Sequence, residues 1–244
     1  MEKESNLRKI VSLSRKAIED YNMIEDGDSI AVGVSGGKDS LALLCALSEL
    51  KNYYPKRFDL KAITLDMGYD ADWSKVRDLC ESLNVEYTVK KTQIKEVIFD
   101  IRKEQNPCSL CSKMRRGALN EAAKELGCNR VALGHHNDDA VETFFLSLFY
   151  EGRISTFAPV TYLDRTGIYQ IRPMIYVSER DIRGAAKNNN FPVSKNPCPA
   201  DGATKREEIK DLIKDLEKRF DNKLKKRLFT AIEGGIDEWK TERK

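Results

Sequence analysis

The segment Ser35–Ser40, with the sequence Ser-Gly-Gly-Lys-Asp-Ser, combines glycines, hydroxyls and a lysine as phosphate-binding loops do. Glycines permit a tight turn whose backbone N–H groups face inward, and such a nest at the positive end of a helix binds anions. The spacing is not that of the Walker A motif, since Asp39 follows Lys38 and Val32 stands where a glycine is expected; nor is it GxGxxG. We therefore predict an anion-binding loop, with a plain glycine turn between a strand and a helix as the alternative.

Cysteines at short spacing are the second chemical feature. Cys108 and Cys111 form a CxxC motif, which alone is compatible with zinc, a redox pair or an iron–sulfur cluster. A four-ligand structural zinc site would require a second CxxC or two histidines at ligand spacing. The only histidines, His135 and His136, are adjacent and so do not have that spacing. Cys198, between two prolines, is the third candidate ligand. The other cysteines fall within or at the ends of helical patterns and are expected to pack as small apolar residues: Cys45, Cys80 and Cys128.

Polar residues also follow two further strand patterns. Asp66 closes one apolar run, and the segment Gly134–Asp139 leaves another and begins a helical pattern. Because nucleotides bind at the carboxyl edge of open α/β sheets, both positions are candidates for ligand contact. The alternative for each is helix capping, which Asp and Asn do well. Within the second segment we interpret Asp138 as the cap.

Alternating strand and helix patterns separate these residues. Apolar runs typical of short buried strands alternate with helical patterns of roughly 10 to 15 residues, which indicates βαβ units. Two of the predicted helices run from about Met114 to Leu126 and from Ala140 to Tyr150. We predict an α/β fold with a mostly parallel sheet and helices on both faces, plus a helical C-terminal segment. The expected organisation is an N-terminal helix over residues 1–24, an α/β domain over 25–203 that carries the loop and the cysteines, and a helical appendage over 204–244.

Composition narrows the class of protein. The 244 residues are 41% hydrophobic, with 42 Lys and Arg against 39 Asp and Glu. This excludes a collagen-like or low-complexity chain and argues against wholesale disorder, while a net charge of +3 diagnoses no nucleic-acid partner by itself. The polar N-terminus has no signal-peptide core, and no apolar run approaches the roughly 20 residues of a membrane span. We expect a cytoplasmic protein, without a membrane partner, whose thiols are reduced.

The order of the motifs resembles that of one enzyme family. The loop Ser35–Ser40 matches the SGGxDS signature of PP-loop pyrophosphatases, which bind ATP and cleave it to AMP and pyrophosphate. Together with PCSLC-x3-RR, GHHNDD and a Pro-Cys after a Phe-Pro, it is similar to the tRNA 2-thiocytidine synthetases over roughly residues 5–205. The tRNA 2-thiouridine-54 synthetases share the cysteines but carry zinc fingers at both ends, and the lysidine synthetases lack the three cysteines.

The resemblance implies roles for individual residues. It implies that Asp139 is a catalytic carboxylate that can bind Mg²⁺ and that Arg115 stabilises negative charge in the reaction. Lys113 and Arg116 are candidates for contact with tRNA phosphates. The alternative for these cations is that they only solvate a helix face. The residues implied in ATP binding are Ser35, Gly36, Gly37, Lys38, Asp39, Ser40, Asp66, Met67, Gly134 and His135.

The resemblance also implies that Cys108, Cys111 and Cys198 hold a [4Fe–4S] cluster with one iron free of protein ligands, which can carry a hydrosulfide. Soft thiolates suit such clusters. The family commonly has Pro-Cys-x-x-Cys at the last cysteine, whereas Asp201 stands at the second cysteine position here. Since that second cysteine is not an expected ligand, the three-cysteine site is retained. A structural zinc held by the same cysteines is the alternative.

The implied reaction consumes ATP to adenylate the 2-carbonyl oxygen of a tRNA cytidine; sulfide then attacks C2 and AMP leaves. The implied partners are tRNA and a sulfur donor such as a cysteine desulfurase, and a homodimer is one expectation because the family is often dimeric. The first alternative is a PP-loop enzyme whose metal site, iron–sulfur or zinc, serves another tRNA base or a small molecule. The second, a non-catalytic binding protein, is disfavoured by the intact loop and Asp139.

Overall fold

The computed structural model describes residues 2–104, 107–194, 197–198 and 204–240. Its centre is a six-stranded sheet in the order β3-β2-β1-β4-β6-β5. Five strands are parallel, and β5 pairs antiparallel with β6 at one edge. The strands are β1 Asp28–Gly33, β2 Phe58–Asp66, β3 Glu86–Lys91, β4 Arg130–Ala132, β5 Val160–Leu163 and β6 Ile168–Ile171. The predicted mostly parallel sheet is confirmed.

Nine α-helices lie in the described ranges: α1 Glu2–Asp20, α2 Lys38–Lys51, α3 Ser74–Ser82, α4 Pro107–Glu125, α5 Asn137–Leu146, α6 Glu179–Asn188, α7 Lys205–Arg219, α8 Leu224–Gly235 and α9 Asp237–Lys240. Two π-helical segments, Glu96–Ile101 and Ser147–Glu151, add to them. Within the described part of the chain, no helix combines the length and apolarity that a bilayer crossing requires.

Alternation of side chains along the strands divides the core into two layers. In β1, Ile30 and Val32 pack into the larger cluster, with residues of α1, α2 and α6, whereas Ala31 faces the smaller cluster under α4. Because successive side chains of a strand point to opposite faces, one apolar run supplies both layers. The prediction of helices on both faces is therefore confirmed.

The strand order creates a crevice at one edge of the sheet. β1 lies between β2 and β4, so the chain leaves β1 towards one side and later returns on the other. At such a switch point the loops after the two central strands diverge and leave room for a ligand. The loop Ser35–Ser40 follows β1 here, and Gly134 follows β4.

Two predicted helices differ from those observed. The helix expected from about Met114 begins at Pro107, so Cys108 and Cys111 lie in its first turns. Proline is favoured at the first helical position, but the polar first turns lack the apolar periodicity on which the prediction depended. The helix expected over 140–150 starts at Asn137, becomes π-helical at Ser147 and is followed by Gly152 in the left-handed conformation, with φ +63°.

The C-terminal helices share the larger core cluster. Ile213 of α7, Phe229 of α8 and Trp239 of α9 are buried in it with α1. The indole N–H of Trp239 donates to the carbonyl of Phe157 at 3.1 Å, and its ring meets Tyr21 edge-on with centroids 6.3 Å apart. The domain boundaries at 24/25 and 203/204 stay predictions.

Truncation of this indole provides a test of the packing. Trp239 is fully buried, so Trp239→Ala leaves a cavity and removes one hydrogen bond, at an expected cost of about 3–5 kcal/mol in the free energy of unfolding. Urea denaturation followed by circular dichroism measures the change. The control is Phe220→Ala on a side chain that is 69% exposed, for which we expect a change within about 0.5 kcal/mol. Equal effects of the two variants would contradict the packing described.

Candidate active site

The crevice at the carboxyl edge of the sheet holds a cavity of about 560 Å³. It brings together residues that the sequence predicts for ATP, catalysis and RNA: Ser35, Gly37, Asp39, Ser40, Asp66, Met67, Arg115, Arg116, Gly134, His135 and Asp139. Three other predicted residues, Gly36, Lys38 and Lys113, do not line it. Trp73 and Pro197 complete part of the wall.

The loop after β1 is held by its own serines. The Ser35 backbone N–H donates to Oγ of Ser40 at 3.1 Å, and that hydroxyl donates to the Gly37 carbonyl at 2.9 Å. Gly36 has φ +76°, where glycine is favoured, and a Cβ there would overlap Oγ of Ser194. The turn therefore has a fixed shape, with α2 beginning directly after it.

Lys38, which does not line the cavity, lies against two carboxylates. Its Nζ is 3.0 Å from Asp39 and 3.1 Å from Glu179. Burial opposes the charge of Glu179, but the hydrogen bonds from Arg183 and Lys38 outweigh it and lower the pKa of this carboxyl to about 2. Glu179 is therefore ionised at neutral pH and shares the Lys38 charge.

The turn after β4 lies directly on the turn after β1. A Cβ at Gly134 would come within 3.1 Å of the backbone nitrogen of Ser40 and the carbonyl carbon of Asp39. These neighbours are main-chain atoms, which cannot move aside as a flexible side chain can. Glycine is favoured at 134 because the two turns meet backbone to backbone.

His136 caps the helix that begins at this turn. Its Nδ1 accepts from the Asp139 backbone N–H at 3.4 Å, and the Asp139 carboxylate accepts from the His136 backbone N–H at 3.0 Å. The interpretation of Asp138 as the cap is wrong: its carboxylate accepts from the Glu179 N–H at 2.8 Å and from Lys225 at 2.9 Å. Asp138 thus joins α6 and α8 to α5 rather than starting α5.

Two carboxylates flank the His136 ring. Nε2 of His136 is 3.6 Å from Oδ1 of Asp39 and 3.4 Å from Oδ2 of Asp139. Among the described residues, none donates a hydrogen bond to the buried Oδ1 of Asp39. Carboxylate oxygens are hard ligands of the kind that Mg²⁺ prefers, so Asp39 and Asp139 fit a role in holding that ion.

Arg206 fixes the other side of Asp139. Its guanidinium lies 3.4 Å from Oδ1 of Asp139, 3.3 Å from Glu142 and 3.2 Å from the hydroxyl of Thr143. Burial raises the pKa of Glu142 to about 7, in spite of nearby cations. Glu142 is therefore only partly ionised near neutral pH.

His135 is held neutral at the base of the cavity. Burial, followed by the charges of Arg172, Arg206 and Arg116, lowers its pKa to about 3. The ring stacks on Phe157 with centroids 4.8 Å apart, and the Arg172 guanidinium lies 5.0 Å from the same phenyl centroid. A neutral imidazole can hydrogen-bond a nucleotide without adding a charge.

The predicted metal ligands lie beside the cavity. The thiol of Cys111 hydrogen-bonds Arg115 and interacts electrostatically with Cys198 and Cys108; burial, the largest effect, raises its pKa. In the described residues, no three Cys, His, Asp or Glu side chains converge on the position of a single metal ion. The three thiols nonetheless share one neighbourhood, and this soft donor set fits an iron–sulfur cluster.

The other three cysteines are buried and free, as expected from their helical patterns: Cys45, Cys80 and Cys128. Burial raises the pKa of Cys45 to about 12 and that of Cys80 to about 11. Such thiols are protonated at neutral pH and chemically inert.

Tyr69, Ser194 and Arg206 are site residues that sequence reasoning missed. Tyr69 lies three residues after Asp66, so the rule that ligands bind beyond strand ends could have indicated it. Its hydroxyl hydrogen-bonds Cys198, and burial together with that thiol raises its pKa to about 12. Ser194 and Arg206 carry no local signal, because their partners Gly36 and Asp139 lie more than 60 positions away in the sequence.

Comparisons with known proteins agree with this geometry. A family profile described as the PP-loop domain matches residues 7–216. In solved structures, the fold is similar to "U34-tRNA thiolase NcsA from Methanococcus maripaludis with its [4Fe-4S] cluster", at a TM-score of 0.76 and 24% identity over 95% of this chain and 79% of that one.

Curated relatives share more of the sequence. The tRNA-cytidine(32) 2-sulfurtransferase of Geobacter metallireducens is 40% identical over 94% of this chain and 90% of its own length. The protein of the same name from Dechloromonas aromatica is 39% identical over 91% of this chain and 78% of its own. At this identity and coverage, the chain belongs to the tRNA-cytidine(32) 2-sulfurtransferase family of PP-loop proteins.

Proposed function

We propose that the protein is an ATP-dependent tRNA sulfurtransferase that adenylates the 2-carbonyl oxygen of a tRNA cytidine and replaces this oxygen with sulfur. The observation that carries the proposal is that one cavity is lined by the glycine-rich loop, by Asp139 and by Arg115. Arg115 also hydrogen-bonds Cys111. A nucleotide bound at the loop and a group delivered from the cysteines would therefore meet in the same space. Family membership supports the same reaction.

The loop residues bind and orient the nucleotide. The backbone N–H of Gly37 and the hydroxyl of Ser35, both on the cavity wall, offer donors to phosphate oxygens at the start of α2. Asp39 and Asp139 offer carboxylates for Mg²⁺. Asp66 and Met67 line the cavity beyond β2, where the adenosine is expected. Lys38 would reach the phosphates only by leaving Glu179, which holds it at 3.1 Å.

The proposed chemistry proceeds in two balanced steps. The 2-carbonyl oxygen of cytidine attacks the α-phosphorus of ATP, and the bond to the β,γ-diphosphate breaks, so that pyrophosphate leaves. A sulfur nucleophile then adds to C2, and the C2–O bond breaks with departure of AMP. Activation is needed because a carbonyl oxygen is a poor leaving group, whereas its adenylate is a good one. The guanidinium of Arg115 offers positive charge where the phosphate leaves.

Cys108, Cys111 and Cys198 would hold a [4Fe–4S] cluster, which when bound supplies an iron position free of protein ligands for sulfur. Arg115 stands between Cys111 and the cavity and so links the two parts of the site. Tyr69 provides a hydrogen bond to Cys198. The physiological sulfur source is proposed to be a donor such as a cysteine desulfurase.

The surface around the cysteines suits an RNA backbone. Lys113, Arg115 and Arg116 are exposed on α4, and none of them is in an ion pair with any residue in the described ranges. Arg102 and Lys103 are exposed nearby in the sequence. Cations that are not neutralised by protein carboxylates are available to phosphates. We propose Lys113 and Arg116 as tRNA contacts. A homodimer is proposed from the family resemblance.

The substrate is tested by nucleoside analysis of tRNA. Cells that lack the gene are expected to lose 2-thiocytidine, measured by mass spectrometry of digested tRNA, and a wild-type copy is expected to restore it. A gene copy with Asp139→Asn should restore little 2-thiocytidine. We expect its thiolation of tRNA to be about 100-fold slower or more, because the carboxylate that binds Mg²⁺ or transfers a proton is lost. The matched control is Asp164→Asn at an exposed turn, which should restore the nucleoside fully. Unchanged 2-thiocytidine in the deletion strain would exclude cytidine as the substrate.

The third cysteine is tested by metal content. After anaerobic reconstitution, Cys198→Ala should retain little iron and labile sulfide, since two cysteines hold a cluster poorly. Cys128→Ala removes a buried thiol from the smaller core cluster and should bind iron as the wild type does. Normal iron in Cys198→Ala would refute its role as a ligand, and stoichiometric zinc without sulfide in the wild type would refute the cluster itself.

A further inference from the structure

A direct hydrogen-bonded link joins the nucleotide loop to the segment that carries the third cysteine. The Ser194 backbone N–H donates to the Gly36 carbonyl at 3.0 Å, and the Ser194 hydroxyl lies 3.3 Å from the same oxygen. The space beside Gly36 is filled by this serine, since a Cβ at 36 would overlap its Oγ. Ser194 is thus seated on the loop, with both of its donors directed to one carbonyl.

The bonded carbonyl belongs to the same peptide unit as the N–H of Gly37. A peptide unit is planar and its C=O and N–H point in opposite directions when trans, and no cis peptide occurs in the described residues. Ser194 therefore helps to set the direction of the Gly37 N–H, which lies 3.4 Å from Oγ of Ser35, and both Ser35 and Gly37 line the cavity. An N–H oriented in advance loses less entropy when it binds a phosphate.

The same segment is tied to Cys198. Only four peptide units separate Ser194 from Cys198, so their Cα atoms stay within about 14 Å of each other in any conformation. A second contact joins Cys198 to the cavity wall through the hydroxyl of Tyr69, whose side chain lines the cavity beyond Asp66. Two links thus run between the space for the nucleotide and the third cysteine.

We propose that Ser194 and Tyr69 are positioning residues that couple the two halves of the site, so that occupation of the cysteine site and binding of the nucleotide favour each other. The proposal rests on the proposed function, because it takes Cys198 as a cluster ligand and the cavity as the ATP site. Fixing Cys198 restricts the chain up to Ser194 and favours the bond to Gly36, which presents the Gly37 N–H. By linkage, the nucleotide strengthens cluster retention by the same factor.

The test measures affinity for a non-hydrolysable ATP analogue with Mg²⁺, by anaerobic calorimetry, on full-length protein with and without reconstituted cluster. We expect the wild type to bind the analogue about tenfold more tightly with the cluster than without it, which lies within the usual range of coupling between two sites. The double variant Ser194→Pro, Tyr69→Phe, which lacks both Ser194 donors and the Tyr69 hydroxyl, should show a ratio below about threefold. The converse readout is the rate of iron loss to a chelator, which the analogue should slow in the wild type and not in the double variant.

Two controls remove hydroxyls elsewhere in the chain. Ser82→Ala deletes a hydroxyl that bonds only within α3, at the Leu79 carbonyl, and Tyr162→Phe deletes a phenol that is half exposed on β5; both should keep the wild-type ratio. A wild-type protein that holds the cluster but binds the analogue equally well with and without it would overturn the coupling alone. A double variant that keeps the tenfold ratio would overturn the assignment to these residues. Failure of the wild type to hold any cluster would overturn the proposed function and the coupling together.

Discussion

The close approach of two backbone turns is the constraint on which the site depends. Gly134 lies so near the main chain of Asp39 and Ser40 that a side chain there would have to push the two turns apart by a few tenths of an ångström. This contact brings the helix that carries Asp139 against the loop that would hold phosphates, and it places His136 between two carboxylates. The sheet supplies the contact, since β1 and β4 are adjacent parallel strands that end at the same edge. The distance between the start of α5, which carries Asp139, and the loop Ser35–Ser40 is therefore set by main-chain atoms and not by flexible side chains.

Some of the cationic side chains around the cavity are paired with carboxylates, and others are not. Lys38 and Arg206 are engaged by Glu179 and by the pair Asp139 and Glu142, whereas in the described residues Arg115 and Arg116 have no carboxylate partner in an ion pair. His135 is kept neutral by burial and by the arginines around it. Anionic substrates would supply the missing counter-charge, which favours both a triphosphate and an RNA backbone.

Much of this arrangement can be predicted from the sequence because its signals are local. The glycine-rich loop follows an apolar strand, the parallel sheet follows from the alternation of elements, and the division of the cysteines into three buried and three near the surface follows from their surroundings in the sequence. The start of α4 at Pro107 was missed because the first turns are polar, and Asp138 was misread because its partners, Glu179 and Lys225, are distant in sequence. Ser194 and Arg206 were missed for the same reason: their roles are created by the tertiary fold.

The burial of three thiols has a practical consequence for anyone who handles the protein. With pKa values of about 12 and 11, Cys45 and Cys80 have almost no thiolate at neutral pH, and thiol-specific reagents attack the thiolate. The exposed Cys108 is the natural first site of alkylation. The number of thiols that react in the folded protein therefore measures how many of the three proposed cluster ligands are free of metal. The thiols that react only after denaturation are the buried ones, and they provide an internal reference for that count.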